Sequence, residues 1–123
     1  MHQAQRHVTL IGVPTDVGAS RLGAAMGPDA LRVAQLGPAL PQQGVQVHDI
    51  GNLAGPPNPR GARDAAGMRN LAECIAWNQV AHDAVWQALQ QGRLPIMLGG
   101  DHTLATGSIS AVARHCRAKG QRL

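Results

Sequence analysis

The sequence predicts an α/β protein in three layers, a parallel sheet with helices on both faces. Three observations predict it. Short apolar runs alternate with stretches of helical periodicity in the order β-α-β-α-β-α. Two of the runs are apolar on both faces, as strands in a covered sheet are. The 123 residues contain no internal repeat or low-complexity tract, and are long enough for one domain but too short for two.

Each element has a local reason. Val8 to Val13 (VTLIGV) is β-branched and apolar, ends at Pro14, and reads as a buried strand. A loop of small residues runs from Thr15 to Gly27. Pro28 then opens a helix, where its missing N–H costs nothing, and Asp29 faces the positive end of the helix dipole. Apolar residues from Asp29 to Leu36 (DALRVAQL) follow helical spacing.

Val45 to Ile50 (VQVHDI) alternates apolar and polar, the pattern of a half-buried strand at a sheet edge. Gly51 to Gly61 holds three prolines and three glycines and reads as a surface loop. From Asn70 to Gln91, the residues Leu71, Ile75, Trp77, Ala81, Val85 and Leu89 trace a helical stripe that Gly92 ends. Leu94 to Leu98 (LPIML) is a second fully apolar strand, followed at once by Gly99-Gly100-Asp101-His102. Thr103 or Thr106 opens a last helix reaching about Cys116.

Composition narrows the functional classes. The formal charge is +4, but the basic residues are scattered apart from Arg114, Arg117, Lys119 and Arg122. No aromatic residue interleaves that cluster in sequence, so nucleic-acid binding has no stacking platform and is not expected. Trp77 and Trp86 lie at helical spacing and read as packing rather than a ligand platform. Cys74 and Cys116 form no metal-type or redox spacing, as in a reducing compartment. Met1 to Arg6 is polar and lacks a signal-peptide core, and no apolar run reaches a membrane span. The expectation is a cytoplasmic protein without a membrane partner. There is no Phe or Tyr and much of the apolar share is Ala, so burial should be thin.

In open α/β sheets ligands bind beyond the carboxyl ends of the strands. Two segments fall there, the loop after Val13 and the turn after Leu98. The glycines of the first fit neither the dinucleotide fingerprint nor a phosphate loop. The second is sharper. Two glycines let the backbone bend steeply after a buried strand and present Asp101 and His102. Histidine with a nearby carboxylate suits manganese, iron or zinc, although such a pair is often only structural. His48, His82 and His115 lack that setting, and His2 and His7 sit near the terminus.

Two segments carry a family resemblance. Ile11 to Arg32 (IGVPTDVGASRLGAAMGPDALR), with its R-x-G-x-x-M-G-P run, resembles the opening of arginases. Leu94 to His115 (LPIMLGGDHTLATGSISAVARH) resembles the arginase stretch around the first metal-binding histidine. The GGDH turn is shared with agmatinases, while L-A-T-G-S-I-S looks more like arginase. The resemblance spans nearly all of 1–123, least so over Gly55 to Gly67, and implies a partial ureohydrolase domain.

The resemblance implies hydrolysis of a guanidinium group by two manganese ions. Metals about 3.5–4 Å apart would generate a hydroxide beside the carbon under attack. His102 matches the family's first histidine ligand, and Asp101 is expected to orient it from behind. L-Arginine would give ornithine and urea. Agmatine or another guanidino substrate, or a non-enzymatic interaction module using the basic tail, are the alternatives. Homo-oligomers are usual in the family. Its Asp-Ala-His-x-Asp motif, later Asp-x-Asp pair, substrate loop and acid/base histidine have no counterpart up to Leu123. No catalytic residue and no substrate-binding residue is therefore assigned, and the chain alone is expected to be inactive, self-associating through an unpaired central strand.

Overall fold

The computed structural model describes residues 5–123; His2 lies outside them. Three parallel strands form one sheet in the order β2-β1-β3. These are β1 (Arg6–Val13), β2 (Val45–Asn52) and β3 (Leu94–Gly99). The helices are α1 (Gly27–Val33), α2 (Leu36–Ala39), α3 (Leu71–Gln90) and α4 (Ala105–Ala118).

β1 is central because its apolar run suits burial on both faces, and Val8 to Val13 are all buried. Ile11 and Val13 point into a cluster with Val17, Trp77, Ala81, Val85, Ala88, Leu104 and Ala111, so α3 and α4 cover that face. Gly12 points the other way, and Arg32 of α1 lies against it. Helices on both faces make the three layers.

The helix predicted over Asp29–Leu36 is shorter and divided. Gln35 turns left-handed at φ 66°, and α2 starts anew. Pro38 accounts for this, since in a continuous helix its ring would collide with the carbonyl four residues back. Pro28 stands in the first turn of α1, as expected.

β2 is an edge strand, and its alternation follows from exposure of Gln46 and His48 between half-buried Val45 and Val47. It continues through Gly51 and Asn52, which the sequence placed in the loop. Arg32 ties α1 to this edge. Its guanidinium grips Asp49 with two bonds of 2.9 Å and also reaches Asn52 and Asp29. The bond from Arg32, with the Gly51 N–H adding to it, holds the Asp49 carboxyl below its ordinary value of 3.8.

A carboxyl depressed by folding stabilises the native state at neutral pH. That contribution fades as pH falls below the unfolded value and through the lower folded one. The stability difference between the wild-type chain and Asp49→Asn should therefore be level above about pH 5, given an unfolded carboxyl near 4. It should shrink on further acidification. Urea midpoints of the two proteins across pH 2.5–7 (roughly the carboxyl titration range) check this; a difference that does not change with pH would remove the ion pair from the account.

β3 is apolar throughout but only partly covered. Only Leu98 is buried, and Leu94 is 61% exposed. β3 pairs with β1 alone among the described residues, so its outer edge is open. Beside it, Pro95, Met97, Val85, Ile109 and Val112 line an apolar groove of about 270 Å³. The last helix also opens differently. Asp101 caps a short 3-10 turn, His102–Leu104, that runs straight into α4, so neither Thr103 nor Thr106 is the cap. No helix of the described residues is long and apolar enough to cross a membrane.

Candidate metal centre

Val13 and Gly99 are paired at the carboxyl ends of β1 and β3, so the two segments expected at the functional edge do meet. Gly100 turns the chain at φ +78°, a conformation that side chains rarely adopt. A Cβ there would lie 2.6 Å from the Val13 carbonyl and 2.8 Å from that of Thr15. The N–H of Asp101 then donates to the Thr15 carbonyl at 3.0 Å. The turn is stitched to the β1 loop at its first residue.

The Asp101 carboxylate completes the stitching. Oδ2 accepts the Gly18 N–H at 2.7 Å, and Oδ1 accepts the Thr103 N–H at 2.9 Å as well as the Thr103 hydroxyl. Gly18 has no room for a side chain, because Thr103 fills that space. Leu104, fully buried, anchors the following residue in the core. His102 is exposed, and while its carbonyl accepts the Ala105 N–H, its side chain makes no hydrogen bond among the described residues, so the imidazole stands free at the sheet edge.

Sequence reasoning missed the support beneath this turn. Asp16, buried in the β1 loop, accepts the Gly23 N–H at 3.0 Å and the Asn58 amide at 2.8 Å. The Gly23 bond first, and Asn58 next, hold its carboxyl below the usual range, so it is a fixed anion and not a proton acceptor. Asn70 donates to the Val17 carbonyl at 2.8 Å and to Asn58 Oδ1 at 3.1 Å, while its own Oδ1 accepts the Gly61 N–H at 3.2 Å. The proline-rich loop is thus tied down at Asn58. The available signal was Asn70 itself, an amide residue directly before a helical stripe.

Other candidates are separate from this edge. His48 is exposed on β2, and His82 pairs with Asp83 at 2.9 Å. The Nδ1 of His115 is buried with no hydrogen-bond partner. Arg114 of the basic cluster lies 4.1 Å from the centre of the Trp86 ring, with His115 edge-on to the same ring. Packing thus brings α3 to a cluster that has no aromatic in its own stretch, and one face of Trp86 is covered. Cys74, by contrast, lies near the turn: burial, aided by the Asp101 charge, pushes its thiol up, so without a metal it stays protonated at neutral pH.

Among the described residues no group of three or more His, Cys, Asp or Glu could hold a metal ion. His102 has the chemistry of one neutral nitrogen ligand, but one ligand does not hold a metal pair. Asp101 is turned toward Gly18 and Thr103 and supplies no recorded bond to the His102 ring.

The arrangement is that of an open parallel α/β sheet with a histidine-bearing turn at its carboxyl edge. A profile of the arginase family matches residues 6–123, and the chain belongs to that family. The arginase of Bacillus subtilis is 33% identical over 108 residues, covering 88% of this chain and 36% of that protein. The native structure of Bacillus caldovelox arginase superposes with a TM-score of 0.81 at 35% identity, over 89% of this chain and 37% of that one. An Entamoeba histolytica arginase solved with L-ornithine gives a TM-score of 0.75 at 27% identity, over 92% and 38%. The chain spans somewhat more than a third of the length of these relatives.

Proposed function

We propose that these residues are the part of an arginase-type hydrolase that supplies one histidine ligand, His102, to a binuclear manganese centre acting on L-arginine. The observation that carries the reading is the free, exposed imidazole at the carboxyl end of β3, on a turn fixed at Thr15, Gly18 and Thr103. Membership of the arginase family supports hydrolase chemistry, and the similar arginases support arginine as the substrate. When bound, the metals would supply a hydroxide at neutral pH. The residues described here do the positioning: Asp101 holds the turn, and Leu104 seats it in the core. Manganese, the cytoplasm and assembly with further copies belong to this same reading of the whole protein.

The 123-residue chain by itself should release no urea from arginine with excess manganese beyond a His102→Ala control. The ligand role is tested in a chimera in which residues 6–123 replace the matching segment of Bacillus caldovelox arginase. Urea release from arginine is expected. His102→Ala should lower it by more than the roughly 10–100-fold typical of losing a group that merely supports a ligand. A folded chimera indifferent to His102→Ala would dismiss the ligand assignment.

A further inference from the structure

We propose that Asn70 is a positioning residue for His102, acting through the Val17–Gly18 peptide group and the Asp101 carboxylate. The inference rests on the reading of His102 as a ligand and extends it to a residue on a different element. The observation is a continuous line of bonds. Asn70 Nδ2 donates to the Val17 carbonyl at 2.8 Å, and the N–H of that same peptide group donates to Asp101 Oδ2 at 2.7 Å. Asp101 Oδ1 then receives the N–H and hydroxyl of Thr103, closing the turn in which His102 stands.

Two physical effects pass along this line. A peptide group is planar, so fixing the direction of its carbonyl fixes the direction of its N–H. A bond to the carbonyl also polarises the N–H, and strengthens its bond to the carboxylate in a partly buried setting. Asn70 is suited to the place for a further reason. It stands at φ +49° at the start of α3, where asparagine is among the few residues other than glycine found with any frequency. Its second donor bond, to Asn58, and the Gly61 N–H aim the carboxamide at Val17. One side chain thereby joins α3, the proline-rich loop, the β1 loop and the metal-ligand turn.

Asn70→Asp is the discriminating variant. It keeps the shape, tolerates the left-handed backbone and retains an acceptor for Gly61. It loses the donor and faces the Val17 carbonyl with a carboxylate. Amide NMR of the 123-residue chain should show the Gly18 resonance moving upfield and its hydrogen exchange quickening on the order of tenfold, the equivalent of one net hydrogen bond. Gly61 should stay in place, which a general loosening of the loop would not allow. In the Bacillus caldovelox arginase chimera, half-maximal urea release should need about tenfold more manganese in the variant.

Asn70→Gly, which suits the backbone and removes the whole side chain, should affect Gly18 and His102 in the same way. Should neither variant fold, a scalar coupling across the Asn70–Val17 hydrogen bond in the unaltered chain decides whether the first link exists, and its absence overturns the inference. So does an Asn70→Asp protein with Gly18 unmoved, or with Gly18 moved and the chimera's manganese requirement unchanged. If the chimera proves indifferent to His102→Ala, the ligand reading fails, while the relay is still judged at Gly18.

Discussion

Gly100→Ala is expected to dislodge the turn that carries His102 and to destabilise the whole sheet edge. The backbone at φ +78° costs a residue with a Cβ about 1–3 kcal/mol when it is held there. The new methyl would also lie 2.6 Å and 2.8 Å from two carbonyl oxygens and 2.7 Å from Leu104. Those oxygens belong to the end of β1 and the loop behind it, so they cannot swing away as a side-chain tip can. Forcing atoms into such a packed place adds about 1–3 kcal/mol more. Against a total stability of roughly 5–15 kcal/mol for a domain, this is a large share. Urea unfolding followed by tryptophan fluorescence should show the midpoint dropping, with the Asp101 amide losing protection from exchange. A loss under about 0.5 kcal/mol, the range of an ordinary surface change, would mean that the turn does not sit against β1 as described.

Trp77→Ala carries the other large effect. The ring is 5% exposed and lies in the centre of the cluster formed with Ile11, Val85 and Leu104. Its Nε1 donates to the Pro56 carbonyl at 2.8 Å, and Gly55 packs flat against it. Truncating a buried tryptophan costs about 3–5 kcal/mol through lost transfer energy and the cavity left behind. The chain has no Phe or Tyr, and its other large ring, Trp86, is only partly buried against the cluster. Trp77→Phe separates the two contributions: it restores most of the apolar mass and should cost about 1 kcal/mol for the missing bond. Trp86 remains to report unfolding in both variants. Equal losses for alanine and phenylalanine would place the effect in the Pro56 bond and not in packing.

Legibility followed the range of the interactions. β1, α3 and the turn after β3 were readable because each depends on local pattern: a β-branched run, a helical stripe closed by Gly92, two glycines after an apolar strand. The edge position of β2 was readable from its alternation for the same reason. The break at Gln35 was missed although Pro38 announced it, since the apolar spacing continued across it. The exposure of β3 could not be read from five apolar residues alone, because burial depends on which strands lie beside them; it was expected only through the resemblance, as a central strand left unpaired. At the site, His102 came from a resemblance between short motifs, and its place at the sheet edge bears on it. Asp101 was read as a partner of His102. The bonds it makes run to Gly18 and Thr103, one of them across 83 residues of sequence. Asn58 was invisible for that reason, and Asn70 offered only its place before the helical stripe: their partners are far off in the chain, and a polar residue in a loop looks the same with or without them.

The strand order has a consequence for how the chain is made. β1 leaves the ribosome first, yet it is the central strand and must wait on both sides. Its Val8 finds Val47 on one flank, and on the other only Leu94, far later in synthesis. Pairings so distant in sequence form slowly, because loop closure precedes any return from contact. Through that interval the apolar β1 is without one of its two flanking strands, which is the circumstance in which nascent polypeptides misassociate or engage chaperones. Elongation rate ahead of Leu94 should therefore govern yield more strongly than it does at any point after β3 has docked.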